Sequence, residues 1–224
     1  MPVHDQLLGS TQPVLSISLE PGESVVAATG EFAWMTDSIQ MTAGQSGLSD
    51  YTATDQAGTV AFASRLPGSI LSIEVVPGRD YLVHRNGFLA GTPGTEISTG
   101  LQQSLAAAGE FILWRIGGSG RAWVELSGDV VRRDLAAGTS LRTHPWHLGM
   151  AEASVAVQMA ELPVPDGGDL GAGVQLFAVL SGPGAVWLQS MQLLAAPIRR
   201  LAAVAAAVQS GPAVEGAAGT GTAC

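Results

Sequence analysis

The sequence predicts an all-β chain folded as an antiparallel β-sandwich built from internally duplicated halves, and three observations carry that prediction. First, a strand–turn–strand phrase returns: LEPGESVVAATGEFAWM from Leu19, VVPGRDYLVHRNGFLAG from Val75 and LAAGTSLRTHPWHLGM from Leu135. Its turn glycines, Gly22, Gly78 and Gly138, lie 78 − 22 = 56 and 138 − 78 = 60 residues apart. Second, a companion phrase, GGSGRAWVEL from Gly117 and SGPGAVWLQS from Ser181, places Gly118 and Gly182 64 residues apart, and Trp123 and Trp187 likewise. Repetition at such a period marks copies of one structural unit packed together. Third, short apolar runs bounded by Gly, Pro, Asp or Ser recur at near-regular spacing, which indicates a sandwich or barrel rather than βαβ units.

The elements follow in chain order. Residues 1–12 read as a polar, flexible leader. In VLSISL the residues Leu15, Ile17 and Leu19 alternate with Ser16 and Ser18, the period-two pattern of a strand with one buried face. Leu71, Ile73 and Val75 repeat that alternation. Further strands are expected at Glu31–Met35, Val60–Ala63, Tyr81–Val83, Phe111–Ile116, Ala122–Leu126, Val174–Leu180 and Ala185–Leu188. Two helices are expected besides. A short central one covers STGLQQSLAAAGE from Ser98, with capping Ser and Thr and a stop at Gly109. A C-terminal one covers 193–209, with Pro197 in its first turn. Residues 210–224 have too little apolar bulk to offset their ordering entropy and read as a disordered tail. The repeated sandwich therefore spans 13–192, divided into halves of roughly 13–126 and 127–192.

Composition narrows the function. The 224 residues can bury a sizeable core without staples. A single cysteine, Cys224, cannot form an internal bridge and favours a reducing compartment. The opening MPVHDQLLGSTQP lacks the pattern of a secretory signal, and no apolar run reaches the ~20 residues of a membrane span, so a cytoplasmic location is expected. All ten basic residues are arginine and the net charge is −9, which opposes nucleic-acid binding in general. Arg115, Arg121, Arg132, Arg133 and Arg142 fall in one stretch and form the candidate nucleic-acid patch. A solvated face is the favoured reading of it.

PGESVVAATGEFAWM, VVPGRDYLVHRNGFLAGTPGTEIST, GEFILWRIGGSG and FAVLSGPGAVWLQS, taken in order, resemble the bacterial and mitochondrial family named for altered inheritance of mitochondria. Its domain is described as similar to the tryptophan RNA-binding attenuator protein. The resemblance covers roughly Val14 to Gln192. It implies a β-sandwich of related halves, a homotrimer whose six half-domains make a pseudo-sixfold ring, and no enzymatic activity. Mitochondrial relatives are implicated in inner-membrane organisation, so membrane association enters by analogy alone. Two segments depart from the family pattern, TAGQSGLSDYTATDQAG and MAEASVAVQMAELPVPDGGDLGAG.

No residue set amounts to an active site. Of His4, His84, His144 and His147, only the HPWH pair comes close in sequence, and a zinc site needs three or four ligands. Asp166 and Asp169 lack the alternating acids and closing Glu of a calcium loop. Ser119 lies between strands, not at a strand-to-helix elbow. Without lysine there is no P-loop. No cofactor, metal or catalytic residue is therefore assigned. Trp34, Trp114, Trp123, Trp146 and Trp187 read as core or subunit-interface aromatics rather than base-stacking platforms. Gly22, Gly78, Gly138, Gly118 and Gly182 are structural turn positions. The reading is a non-catalytic oligomeric scaffold with an unidentified protein partner. The alternative is a module binding a small ligand or single-stranded RNA between half-domains or subunits.

Overall fold

A computed structural model describes residues 3–44, 47–105, 109–164 and 173–192. The strands are β1 (His4–Leu8), β2 (Val14–Leu19), β3 (Ser24–Ala28), β4 (Phe32–Met35), β5 (Ile39–Ala43), β6 (Leu48–Ala53) and β7 (Gly58–Ala63). Then come β8 (Gly68–Val75), β9 (Tyr81–His84), β10 (Phe88–Gly91), β11 (Thr95–Leu105), β12 (Gly109–Gly118) and β13 (Gly120–Ser127). The last are β14 (Val130–Leu135), β15 (Ser140–Thr143), β16 (Leu148–Glu152), β17 (Ala156–Val164), β18 (Gly173–Ser181) and β19 (Gly184–Gln189). The pairings within the sheets are antiparallel. The fold is all-β and sandwich-like, as the alternation predicts: Leu15, Ile17 and Leu19 are fully buried on β2.

The sheet orders reveal three repeats rather than two halves. One six-stranded sheet runs β5-β6-β3-β10-β13-β8 and another β11-β12-β9-β16-β19-β14. Shifting every label of the first by six yields the second. The remaining sheets, β1-β2-β7-β4 and β15-β18-β17, hold the leftover strands. Repeat 1 is thus β2–β7, repeat 2 is β8–β13 and repeat 3 is β14–β19, with β1 as an addition. The proposed boundary between residues 126 and 127 survives only as the join between repeats 2 and 3.

Local details obey the same equivalence. Gly22, Gly78 and Gly138 all occupy the left-handed region, with φ of 81°, 85° and 78°. Each closes a turn in which the next residue's N–H returns to a carbonyl three residues back: Glu23 to Glu20, Arg79 to Val76, Thr139 to Ala136. Such a φ is costly for a side chain with a Cβ, hence the recurring glycine. The third strand of every repeat carries a bulge in the same place, between Phe32 and Trp34, Phe88 and Ala90, and Leu148 and Met150. A side chain at the end of this strand then accepts from the sixth: Thr59 N–H donates to Thr36 Oγ1, Arg121 N–H to Thr92 Oγ1 and Ala185 N–H to Glu152 Oε2.

Three apolar clusters follow from the stacking. One joins β2 and β7 to strands of the first six-stranded sheet through Leu15, Phe62, Tyr51 and Trp123. A second lies between the two six-stranded sheets, around Phe88, Ile116, Leu126 and Met150. A third joins the second six-stranded sheet to β15 and β18 through Phe111, Trp146 and Leu180. Each repeat is a small sandwich, and each large sheet is shared by two successive repeats.

Three expectations are corrected. The central helix is absent where residues are described: Thr95–Leu105 is a long strand whose residues pair with β12 from Thr95 opposite Gly118 to Leu105 opposite Gly109. Gln and Leu favour a helix by only tenths of a kcal/mol, and a full ladder of cross-strand bonds outweighs that preference. Gly100 sits at the register break, where a Cβ would meet Leu82 Cδ2 at 2.6 Å. The leader is also no leader over His4–Leu8, which pairs with β2 throughout. It is anchored by Asp5, whose carboxylate accepts from Trp123 Nε1 at 3.0 Å and Arg121 Nη1 at 2.8 Å. The halves become three repeats, as above. The C-terminal helix at 193–209 and the tail at 210–224 lie outside the described residues, as do Asp166 and Asp169.

Candidate assembly interface

Each large sheet joins two repeats by one rule, the second strand of a repeat against the third strand of the next: β3 with β10, and β9 with β16. Among the described residues no strand pairs with the outer side of β4, the third strand of repeat 1, or of β15, the second strand of repeat 3. Both strands end their sheets. Burial records the difference. Phe88 and Ala90 on β10, and Leu148 and Met150 on β16, are fully buried, whereas Phe32 and Trp34 at the matching positions of β4 are 39% and 48% exposed. On β15, Ser140 and Arg142 are exposed and Leu141 and Thr143 half-buried, while all four residues of β9 are buried. An apolar edge with open N–H and C=O groups invites another strand, and no lysine blunts it.

The arginines of the candidate patch do not assemble into a free cationic surface. Arg115 is paired with Asp80 at 3.1 Å, Arg121 with Asp5 at 2.8 Å and Arg132 with Asp134 at 2.6 Å. They lie on β12, β13 and β14, in both large sheets, with Arg133 exposed on β14 and Arg142 on β15. Arg132 also stacks over the Trp187 ring, 5.5 Å from its centroid. Trp123 and Trp146 are buried, Trp114 and Trp187 half-buried, and Trp34 alone of the five is exposed.

His84 serves packing, whereas His4 is exposed on β1. His84 is buried against Phe111 and Trp146, and burial lowers its pKa to about 4, helped by Arg85 and Arg65. His147 Nδ1 lies 2.7 Å from the Gln189 carbonyl, and His144 meets it ring to ring at 6.0 Å. Among the described residues no third ligand joins them into a metal set. Gly118 has φ +87° like the repeat-turn glycines, whereas Gly182 is crowded by the Leu135 and Ala136 carbonyls.

Two features escape the sequence reading. One is a cleft of about 860 Å³ at the junction of repeats 1 and 2, lined by Glu23, Ser72, Glu74, Thr92, Ser119 and Arg121 among others. Its counterpart between repeats 2 and 3 holds the Arg79–Glu152 and Arg115–Asp80 pairs. The other is a buried acidic pair sharing one cation. Arg65 Nε contacts Glu31 Oε1 and lies 3.6 Å from Glu125 Oε1, and Arg65 N–H donates to Glu125 Oε2 at 3.0 Å. Burial raises the Glu125 pKa to about 7, with Glu31 adding to the rise and Arg65 opposing it. Burial also raises Glu31, against Arg65. A lone Glu inside each of the apolar phrases FAWM-preceding GE and WVEL was the available signal. The Glu125 carboxyl can hold a proton near neutrality.

Over the described residues the fold thus defines a β-protein of three linked sandwich repeats whose two terminal sheets end at β4 and β15. The chain belongs to the mitochondrial biogenesis AIM24 family, whose profile matches residues 6–191. Its fold is similar to the crystal structure of protein SPYM3_0169 from Streptococcus pyogenes, with a TM-score of 0.66 and 16% identity over 92% of this chain and 99% of that one. Comparison with curated proteins finds no match. No helix among the described residues is long and apolar enough to cross a membrane.

Proposed function

We propose that this chain is a non-catalytic oligomeric scaffold, a cytoplasmic homotrimer that offers its outer surface to a protein partner. The observation that carries the reading is the exposed apolar pair Phe32 and Trp34 on β4, whose counterparts in the other repeats are fully buried. Closed rotational symmetry covers such edges without leaving new ones. Because each chain has three repeats, a trimer would present three chains of three repeats rather than the six half-domains that the family resemblance implies.

Light scattering at micromolar concentration tests this. The expected mass is three times 22.8 kDa, about 68 kDa, and Trp34→Glu should bring it down toward one chain, because an ionised carboxylate cannot be buried at an apolar contact without a partner. A monomeric parent chain would overturn the scaffold.

One observation favours a second reading, a small-ligand module: the cleft between repeats 1 and 2 is roomy and lined by hydroxyl, carboxylate and guanidinium groups. Single-stranded RNA fits less well, since three of the five candidate arginines are already paired with aspartates and the chain is acidic.

A further inference from the structure

The internal sheets supply a template for the unfinished ones. In the join of β10 with β3, Ala90 lies opposite Ala27 and Gly91 opposite Val26. In that of β16 with β9, Met150 lies opposite Val83 and Ala151 opposite Leu82. Ala90 and Met150 are the residues just past the bulge of their strands, and Trp34 holds that place on β4. Ala27 and Val83 each stand five residues beyond their turn glycine, Gly22 and Gly78; five beyond Gly138 stands Thr143. One register of β4 against β15 therefore matches both internal joins.

We propose that β15 of one chain pairs antiparallel with β4 of a second copy, Trp34 opposite Thr143 and Met35 opposite Arg142. The three strands β17-β18-β15 then continue into β4-β7-β2 of the neighbour, reproducing the six-strand order of the two internal sheets, with β1 as a seventh strand beyond β2. Phe32 and Trp34 gain the cover that Phe88 and Ala90 already have. The contact joins two different surfaces, so it propagates head to tail and ends where rotation closes a ring. The occupant is a copy of this chain because only the second strand of another repeat carries the matching half-sheet. This inference rests on the oligomer proposed above and names its interface.

The test is a disulfide. Directly opposed residues of an antiparallel pair have Cα atoms about 4.5–5.5 Å apart, within the range a disulfide spans. In a Cys224→Ser background, Met35→Cys with Arg142→Cys should oxidise to covalent dimers and larger species that collapse to one chain on reduction. Met35→Cys with Leu141→Cys, one residue out of register and on the opposite face, should stay largely uncrosslinked. An independent measurement uses Trp34→Glu and Thr143→Pro. Each variant alone should be monomeric, and an equal mixture should recover a dimer of one copy of each, because every chain keeps one intact edge. A monomeric parent chain would defeat the oligomer reading itself. An oligomer in which neither the 35–142 pair crosslinks nor the mixed variants combine would overturn this interface alone. A disulfide closed within a single chain would overturn the second copy as occupant.

Discussion

Gly118→Ala is expected to destabilise the fold by roughly 3 kcal/mol or more, while Gly22→Ala costs about 1–2 kcal/mol. Both glycines have positive φ, 87° and 81°, so both substitutions strain the backbone. They differ in what the added Cβ meets. At Gly22 there is nothing within 4 Å; at Gly118 it would lie 2.2 Å from the Gly94 carbonyl oxygen. That oxygen accepts from Ser119 N–H at 2.9 Å and so cannot retreat freely. Relief would require parting the ladder of β11 and β12, the longest among the described residues. In thermal denaturation the Gly118 variant should lose on the order of 10 °C, two or more times the loss at Gly22. Equal losses would mean that the turn conformation alone, and not the close approach, sets the cost.

The contribution of Glu125 to stability should fall as pH rises from about 4.5 to 7. Its folded pKa is about 7, above the ordinary 4.5, because burial disfavours the carboxylate. The folded state therefore binds the proton more tightly than the unfolded chain. Its stabilising contribution is complete below the unfolded value and is lost as pH climbs through the folded one. The difference of about two and a half pKa units corresponds to a loss on the order of 3 kcal/mol. His84 works in the opposite sense over an overlapping window and offsets much of this loss in the parent chain. Its pKa is lowered to about 4, so its contribution is present above 6.5 and is lost as pH falls toward 4. Comparing the parent chain with Glu125→Gln cancels His84. Urea unfolding from pH 4 to 8 should show the parent losing stability relative to the variant across that range. A constant difference between them would show that Glu125 does not titrate there.

Much of the architecture was written in the chain, for reasons that particular residues make clear. Leu15, Ile17 and Leu19 alternate with serines because one face of β2 is buried, and Gly22, Gly78 and Gly138 recur because their turns need positive φ. The threefold count was hidden because the companion phrase is not legible in repeat 1, which reads DQAGTVAFAS there. The companion phrase of repeats 2 and 3 carries Trp123 and Trp187, but in repeat 1 the matching position, opposite Trp34, is Ala61. β11 misleads because Leu101 and Gln102 state no preference strong enough to resist the strand beside them. β1 misleads because its outer side is open and its anchor, the Asp5 bond to Trp123, joins residues 118 apart. For the same reason the arginine patch dissolves, as Asp80 and Asp5 are distant in sequence from Arg115 and Arg121. The open edge itself was illegible: FAWM and HLGM are both apolar, and only tertiary structure covers one and leaves the other bare.

Completion of the unfinished sheet by another copy is tested residue by residue by amide hydrogen exchange. The amides of β10 and β16 are held in six-stranded sheets within one chain and provide the internal standard. At micromolar concentration the open-side amides of β4 and β15 should exchange nearly as slowly as these, and should become fast in Trp34→Glu while β10 and β16 stay protected. Rapid exchange at both β4 and β15 in the parent chain, beside slow exchange at β10 and β16, would contradict it.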